Sequence, residues 1–353
     1  MSPLDRPVVR CGDLLEERFF LERVIGSGGM GFVYEAVDIA CGETVVVKVL
    51  RRAQATKAGA RRLRREAQTA SAAASAQVVV VKHIGEHKRI PFLVLERLQG
   101  TDLATYTRKR GPLPVSVACA FLREAALGAA AVHRQGLVHR DIKPSNLFVT
   151  EGTAGLSVKL IDFGIAKRTD GPIEEATTAL TRVGEILGSL GYMAPEQATH
   201  APDVDERADV WSLGATLYFL LTGVSPFSGR GVASIVGALL FDQHVPLEEK
   251  RPDVPVALAR LVDACLAKEP AERLGSAALL ASLLTPFAGE RGHVQGHMTL
   301  RAAQRAGQRL STVVRWAASW SARIERALRR WLAPEAAADL ADEVVTTRRQ
   351  RAA

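Results

Sequence analysis

The spacing of apolar and polar residues divides the chain into a strand-rich first part, a helical middle part and a separate tail. Near the start, residues 19–25 and 32–37 alternate as strands do, and residues 61–76 are the one stretch there with helical character. Further along, long helical patterns alternate with loops. We therefore expect four regions, namely a leader at 1–13, a strand-rich region at 14–98, a helical region at 99–287 and a tail at 288–353.

The tail contains one amphipathic pattern, at 313–332, which predicts a helix. Placed at about 100° per residue, three of the protein's four tryptophans fall on one apolar face within an arc of about 120°, and five arginines fall on the opposite side. Pro334 follows where a helix is expected to end. The apolar face comprises Val313, Trp316, Trp320, Ile324, Ala327, Leu328 and Trp331.

The net charge of the protein is concentrated in this tail. Residues 288–353 carry twelve arginines, no lysine and six acidic residues, which is +6 of the total of +8. An arginine face opposite a tryptophan face is typical of helices in an anionic membrane interface, but the same apolar face would serve docking onto the rest of the chain or self-association in a homodimer. Binding to nucleic acid is disfavoured, because no recognised nucleic-acid-binding fold accompanies the arginines.

Length and composition set the remaining limits. At 353 residues the chain has room for about two domains, and a hydrophobic fraction of 47% is ample for a core. Four cysteines at unpaired spacings indicate neither a disulfide framework nor a zinc site. The first residues do not resemble a signal peptide, and no run of about 18 uncharged apolar residues predicts a membrane span. We expect a cytoplasmic protein, with attachment to the inner face of the membrane through 313–332 as the variant.

The motif with the most chemical content is HRDIKPSN at 139–146, which is followed sixteen residues later by DFG at 162–164. Together the two motifs supply a proton acceptor, a cation and two oxygen-bearing side chains suited to Mg²⁺, which is the set that phosphoryl transfer needs. They resemble the catalytic and metal-binding loops of Hanks-type, eukaryotic-like serine/threonine protein kinases, in the form found in bacteria.

The resemblance implies a role for each polar residue of the two motifs. Asp141 accepts the proton of the incoming hydroxyl, and Lys143 neutralises charge on the transferred phosphoryl group. Asn146 and Asp162 hold Mg²⁺ ions, with Mn²⁺ as an alternative, that bridge the phosphates of ATP. A lysine at 143 further implies protein substrates with serine or threonine acceptors.

A glycine-rich run, GSGGMG at 26–31, precedes these motifs. Strand-like segments flank it on both sides, so it predicts a hairpin and not the strand-to-helix turn of dinucleotide-binding folds. Glycines let the backbone approach phosphates closely. The resemblance implies that Val33 packs on the adenine and that a lid over ATP is formed by Gly26, Ser27, Gly28, Gly29, Met30 and Gly31.

The resemblance assigns further residues around the nucleotide. Lys48 reaches the α and β phosphates and is held by an ion pair with Glu66 on the predicted helix at 61–76. Val46 replaces the family's usual alanine above the adenine, and its two extra methyl groups are expected either to narrow the pocket or to shift the nucleotide, which would change the affinity for ATP. The remaining adenine-binding positions are the hinge residues Leu95, Glu96 and Leu98, with Leu95 as gatekeeper, and Leu147.

GSLGYMAPE at 188–196 resembles the segment that shapes the substrate cleft and closes the activation segment. Ser189 replaces the usual threonine that bridges Asp141 and Lys143, and it keeps the hydroxyl. Leu190 replaces a common proline, which leaves the peptide specificity open.

Two further resemblances concern the fold more than the chemistry. Glu196 and Arg273 are implied to form a buried ion pair. Asp209, the first residue of DVWSLG at 209–214, is implied to brace the backbone of the catalytic loop.

Arg140 corresponds to the residue that grips a phosphate on the activation segment in related kinases. The hydroxyls that suit this contact belong to Thr177, Thr178 and Thr181, of which Thr181 is best placed. A phosphothreonine pairs well with an arginine, so we expect autophosphorylation there to switch the enzyme on. The alternative is a charge-rich loop in which the threonines are incidental.

One departure from the family falls near the end of the first helix. Ala70 lies one turn after Glu66, where a larger apolar side chain normally stacks behind the active site. Residues 70–76 are all alanine or serine. Such side chains bury little area. The packing of this helix should therefore be less favourable by roughly 1–3 kcal/mol than it would be with leucine at position 70. We expect a loosely seated helix that needs a partner, dimerisation or phosphorylation, unless neighbouring side chains fill the space.

These patterns indicate an α+β, two-lobed protein kinase fold with a β-rich N-lobe at 14–98, a helical C-lobe at 99–287 and a helical, arginine-rich tail. We expect an ATP-dependent serine/threonine kinase that autophosphorylates on its activation segment. The alternative is a pseudokinase scaffold that acts through its tail, which only Val46 and Ala70 favour.

Overall fold

The structure is a computed structural model, and it describes residues 9–27, 31–51, 56–73, 75–152, 155–162, 189–199 and 204–289. The chain separates into one unit of residues 1–254 and 261–294 and a second of residues 255–260 and 295–353. Only residues 255–260 of the second unit are described. The predicted tail helix at 313–332, with its tryptophan and arginine faces, therefore lies outside the described residues.

The first lobe is an antiparallel sheet. Its strands are β1 (Leu14–Leu15), β2 (Phe19–Ser27), β3 (Gly31–Asp38), β4 (Glu43–Leu50), β5 (Val81–His87) and β6 (Ile90–Glu96). Their order across the sheet is β1-β2-β3-β4-β6-β5. Alternate residues point to opposite faces of a strand, and on one face of β3 and β4 Tyr34, Ala36, Val45, Val47 and Val49 form the core.

One helix, α1 (Lys57–Ala73), accompanies this sheet and contacts β5 and β6. The prediction of a helix at 61–76 is right in kind and wrong at both ends. The helix begins earlier because the hydroxyl of Thr56 accepts the N–H of Gly59 at 3.1 Å and caps the first turn. It ends earlier because Ser75 forms a turn of its own, in which its hydroxyl accepts the N–H of Gln77 at 3.3 Å.

The second lobe is built around the apolar helix α3 (Val115–His133), which follows α2 (Leu103–Arg110). A small antiparallel sheet, β7 (Gly100–Asp102), β8 (Leu147–Gly152) and β9 (Gly155–Leu160), lies beside it in that order. Among the described residues, α3 alone is long and apolar enough to cross a membrane. Because 61% of that stretch is buried inside the protein, as in a core helix, this is weak evidence for a membrane span.

The rest of the second lobe is helical. Its described helices are α4 (Pro195–Ala198), α5 (Arg207–Thr222), α6 (Val232–Phe241), α7 (Leu247–Lys250), α8 (Val256–Cys265) and α9 (Ala277–Leu284), with 3-10 turns at Pro144–Asn146 and Thr285–Phe287. Helix α5 is almost entirely buried and, with α3 and α9, forms the core. The predicted division into a strand-rich lobe and a helical lobe is confirmed.

The predicted ion pair between Glu196 and Arg273 is also confirmed. Arg273 is only 1% exposed, and its two terminal nitrogens lie 2.6 and 3.0 Å from the two carboxylate oxygens of Glu196. The Arg273 guanidinium also donates to three backbone carbonyls, among them that of Arg207 in α5. A buried guanidinium is tolerable only when its donors are paired in this way, and here the pairing fastens α4 to α5.

Candidate active site

The segment at 139–146 connects α3 to β8, and its backbone is held by α5. Asp209, fully buried in the first turn of α5, accepts the N–H of His139 at 2.8 Å and the N–H of Arg140 at 2.7 Å. Arg140 has a φ of 66°, a left-handed conformation that is unfavourable for residues other than glycine. The predicted bracing role of Asp209 is confirmed, and its two hydrogen bonds offset the cost of this backbone.

His133, the last residue of α3, belongs to the same group, and sequence reasoning missed it. Its Nε2 lies 2.8 Å from Oδ2 of Asp209. Burial raises the pKa of Asp209, but the contact with His133 and the N–H of His139 more than offset burial, so the pKa stays below its usual value. A histidine at the end of an apolar helix is too common in sequences to be recognised as part of a site.

Asp141 lies in a polar cluster formed by the catalytic segment. Nδ2 of Asn146 donates to the backbone oxygen of Asp141 at 2.8 Å and to its Oδ2 at 2.9 Å. Nζ of Lys143 lies 3.0 Å from the same Oδ2 and donates to Oγ of Ser189 at 3.0 Å. Because Nδ2 is the donor in both of its bonds, the amide oxygen of Asn146 is the atom suited to ligate a cation.

Lys48 and Asp162 meet across the cleft between the lobes. Lys48 lies on β4 with a side chain that is 10% exposed, and its Nζ forms an ion pair with Oδ1 of Asp162. Asp162 has a φ of 64° and a side chain that is 51% exposed, so its carboxylate is partly open to solvent. The side chain of Glu66 lies outside the described residues, and its ion pair with Lys48 stays a prediction.

The cleft face of the sheet carries the residues predicted to cover adenine. Pairing between strands sets Val46 opposite Leu95 and Lys48 opposite Val33. Residues directly opposite in antiparallel strands share a face. Val33, Val46 and Leu95 therefore lie on one face, and all three are half-buried.

The prediction for Leu147 is wrong, because this residue is fully buried and offers no surface to a nucleotide. Its neighbour Phe148 is half-exposed. Phe148 lies opposite Lys159 of β9, whose Nζ reaches Oε1 of Glu96 in the hinge at 2.5 Å, so this face of the small sheet is the one beside the hinge. Successive strand residues point to opposite faces, so an error of one position exchanges a surface residue for a core residue.

The glycine-rich hairpin joins β2 and β3. Gly26 and Ser27 are the last residues of β2, with Gly26 opposite Val33. A Cβ added at Gly31 would lie 2.1 Å from the carbonyl oxygen of Val49, so no side chain fits there unless β4 moves. Glycine at 31 is therefore required by strand packing. Outside the described residues lie Gly28, Gly29 and Met30.

Arg140, the predicted phosphate-gripping residue, donates from Nη2 to the carbonyl of Val204 at 3.2 Å. Its own carbonyl accepts a hydrogen bond from Nε2 of Gln197 at 3.0 Å, a second contact that the sequence did not reveal. The acceptor threonines Thr177, Thr178 and Thr181 lie outside the described residues, and their pairing with Arg140 stays a prediction.

A groove of about 190 Å³ lies beside the last turns of α1. Its walls are Ala70, Ser71, Ser75 and residues 78–81. Ala70 is only 5% exposed, so a larger side chain at this position would point into the protein and not into solvent. Space of the kind expected from the alanine- and serine-rich run is therefore present.

The chain is similar to protein kinases in sequence and in fold. The family described as protein kinase domain matches residues 19–284. The probable serine/threonine-protein kinase CE0033 of Corynebacterium efficiens is 36% identical over 278 residues, which are 76% of this chain and 41% of that protein. PknL of Mycobacterium tuberculosis, a serine/threonine-protein kinase, is 36% identical over 279 residues, which are 78% of this chain and 67% of PknL. A crystal structure of the PknI kinase domain from M. tuberculosis, 26% identical, superposes with a TM-score of 0.63 and covers 80% of this chain and 100% of that domain.

Proposed function

The chain belongs to the protein kinase family, and we propose that it transfers the γ-phosphoryl group of ATP to serine or threonine hydroxyls of proteins. The observation that carries this proposal is the contact of Lys48 with Asp162, two residues 114 positions apart that approach the cleft from different lobes. One is the cation expected at the phosphates and the other is a carboxylate expected at the metal. Their meeting in one cleft supports a shared phosphate site.

The acceptor side of the reaction belongs to the cluster around Asp141. Asp141 takes the proton of the incoming hydroxyl, and Asn146 orients its carboxylate through two hydrogen bonds. Lys143, held by Ser189, places a positive charge next to Asp141 where the transferred group arrives. The cluster therefore binds the hydroxyl, orients it and receives its proton.

The metal ligands are Asn146 and Asp162. An amide oxygen and a carboxylate suit Mg²⁺, which is commonly held by one or two carboxylates together with substrate phosphates and water. In the described residues no group of three or more His, Cys, Asp or Glu side chains forms a metal cage, which agrees with a metal that the nucleotide helps to bind. When bound, Mg²⁺ neutralises charge on the phosphates; Mn²⁺ has the same preference for oxygen.

The adenine lies between the two lobes. Val33, Val46 and the gatekeeper Leu95 cover it from the sheet, and Phe148 takes the place on β8 first expected of Leu147. The backbone of the hinge at 96–98 hydrogen-bonds the base. Support for this arrangement comes from the shared cleft face of the three sheet residues and from the exposure of Phe148 beside the hinge.

Regulation is proposed from the sequence. Autophosphorylation at Thr181, or at Thr177 or Thr178, would supply a phosphate for Arg140 and order the activation segment. The arginine-rich helix at 313–332 would bring the protein to an anionic membrane surface, dock onto the rest of the chain or pair in a homodimer. Binding of the full chain, but not of a chain that ends at 289, to vesicles only when they contain anionic lipid would favour the membrane, and no binding would favour docking or self-association. The pseudokinase alternative gains no support from the relatives, which are named serine/threonine-protein kinases.

The test is incubation of the full chain with Mg²⁺ and radiolabelled ATP, followed by mapping of the phosphorylated residues. Wild type should take up label on threonine in 163–188, and Asp141→Asn should take up none. Asp253→Asn is the matched control, because its carboxylate is 66% exposed and, among the described residues, pairs with Arg251 at 2.8 Å. Wild type that takes up no label and labels no acceptor protein would contradict the proposal.

A further inference from the structure

Arg97 lies in the middle of the hinge, between the two residues whose backbone is proposed to bind adenine. Its guanidinium makes two contacts in different directions. Nε donates to Oε2 of Glu35 on β3 at 2.5 Å, and Nη1 donates to the carbonyl oxygen of Leu98. The side chain of Arg97 is 29% exposed and that of Glu35 is 12% exposed, so the ion pair is largely shielded from water.

Glu35 is held by a second arginine. Nε and Nη2 of Arg23, on β2, each lie 2.7 Å from Oε1 of Glu35, so each carboxylate oxygen has its own guanidinium. The hydrogen bond from Arg97 is the largest influence on this carboxyl and, with that from Arg23, outweighs burial and keeps the pKa of Glu35 below its usual value. One carboxylate therefore joins β2, β3 and the hinge.

This connection lies on the face of the sheet that covers the nucleotide. Glu35 comes two residues after Val33 on the same strand and stands directly opposite Val46 on β4, so its side chain shares their face. The strands that Arg23 and Glu35 occupy are the two strands of the glycine-rich hairpin. A connection from these strands to the hinge fixes the position of the hairpin relative to the adenine-binding backbone.

Resting on the proposed kinase function, we infer that Arg97 is a nucleotide-positioning residue, which ties the glycine-rich hairpin to the hinge and so sets the width of the ATP cleft. It takes no part in the polar clusters around Asp141 and Asp162, and it acts on binding and not on the chemical step. The planar guanidinium is needed because it offers donors in several fixed directions, whereas an ammonium group is a single compact charge.

The inference predicts how the kinetic constants change. For Arg97→Gln, the KM for ATP should rise about 5- to 10-fold, the size expected for the loss of a shielded charge-assisted contact, while kcat stays within about twofold. Glu35→Gln should act in the same way. Adding the second substitution to the first should change little, because both remove the same contact. Arg97→Lys should fall between wild type and Arg97→Gln.

The experiment measures ATP affinity of the full chain by calorimetry and, with Mg²⁺ and an acceptor protein, KM and kcat for each variant. Arg108→Gln is the matched control, since this exposed arginine, within the part of the chain that the structure describes, hydrogen-bonds Thr105 of its own helix α2 at 3.1 Å, and it should behave as wild type. If wild type binds ATP but Arg97→Gln and Glu35→Gln bind it equally well, the positioning role is wrong and the kinase proposal stands.

Two other outcomes are decisive. A fall in kcat and in melting temperature for both variants, without a change in KM, would assign Arg97 a structural role and overturn the inference. If wild type itself binds no ATP, the kinase proposal fails and the positioning role fails with it.

Discussion

The catalytic loop and helix α1, which carries Glu66 as the predicted partner of Lys48, are held in different ways. The loop at 139–146 is fixed by the backbone N–H groups of His139 and Arg140, which donate to the buried carboxylate of Asp209, and His133 holds Asp209 in turn. Helix α1 ends in small side chains, and a groove of about 190 Å³ lies open beside Ala70. The catalytic loop is therefore fixed by several hydrogen bonds at once, whereas the end of α1 is loosely packed.

This difference indicates which part of the site can be adjusted. An unpaired buried donor costs about 1–3 kcal/mol, so a loop that depends on such donors has one favourable geometry. Contacts between small apolar side chains are individually weak and distinguish poorly between neighbouring positions of a helix. We therefore expect the catalytic loop to keep one geometry and the position of α1 to be the more easily changed of the two.

The largest expected effect comes from Asp209→Ala, which removes the carboxylate that holds the catalytic loop. The N–H groups of His139 and Arg140 would lose their acceptor, so we expect the free energy of unfolding to fall by about 3–5 kcal/mol and kcat to fall at least about 100-fold. Denaturant unfolding and initial rates measure both changes.

The control for this variant lies just before the same helix. Asp205 accepts the N–H of Arg207 at 2.9 Å with a side chain that is 46% exposed, so Asp205→Ala should cost only about 1 kcal/mol. If both variants lost stability and kcat to the same extent, the hydrogen bonds from the loop to Asp209 would not be the cause.

A smaller effect should follow from Ser189→Ala, which removes the hydroxyl that holds Lys143 at 3.0 Å. Loss of a hydrogen bond to a charged group is worth about 1.5–3 kcal/mol, so kcat should fall about tenfold or more with little change in the KM for ATP. Ser189→Thr restores the hydroxyl and should restore the rate. A threonine variant as slow as the alanine variant would show that the hydroxyl is not the reason.

The loose packing at the end of α1 is tested with Ala70→Leu, which should fill part of the groove. We expect the free energy of unfolding to rise by about 1–2 kcal/mol and basal activity to rise with it, because a better seated α1 holds Glu66 in place. Gln68→Leu, on the exposed face of the same helix, is the control. Unchanged basal activity in Ala70→Leu would refute the loosely seated helix.

The smallest expected effect is a change of stability with pH, caused by His139 in the catalytic loop. Burial lowers the pKa of His139 from 6.5, although the charges of Asp209, Asp141 and Asp162 oppose it. Below pH 6.5 the unfolded chain takes up a proton that the folded chain does not, so stability should fall as pH falls, by at most about 1.4 kcal/mol per pH unit. His139→Phe should show a shallower slope between pH 7 and 5 in denaturant unfolding. Identical slopes would remove His139 as the cause.

The polar side chains of the site could be predicted because they belong to short sequence motifs. Lys48, Asp141, Asn146 and Asp162 were found because their motifs resemble those of the kinase family, and the structure pairs Lys48 with Asp162 and Asp141 with Asn146. Leu147 was assigned wrongly, since a strand that follows the 3-10 turn Pro144–Asn146 can begin in either phase, and only its pairing with β9 decides which residue is exposed. The ends of α1 were missed because serine and threonine hydroxyls set them locally.

Residue types and their spacing along the chain therefore determine which side chains carry the chemistry and which broad fold presents them. Some contacts that hold those side chains, such as the bracing by Asp209, were expected from motifs, but others were decided by tertiary structure alone. His133 meets Asp209 across 76 positions, Arg97 meets Glu35 across 62, and the groove beside Ala70 exists only between segments already packed. The reason is physical: a motif reflects requirements local to the chain, whereas a buried partner or an empty space depends on how distant segments pack.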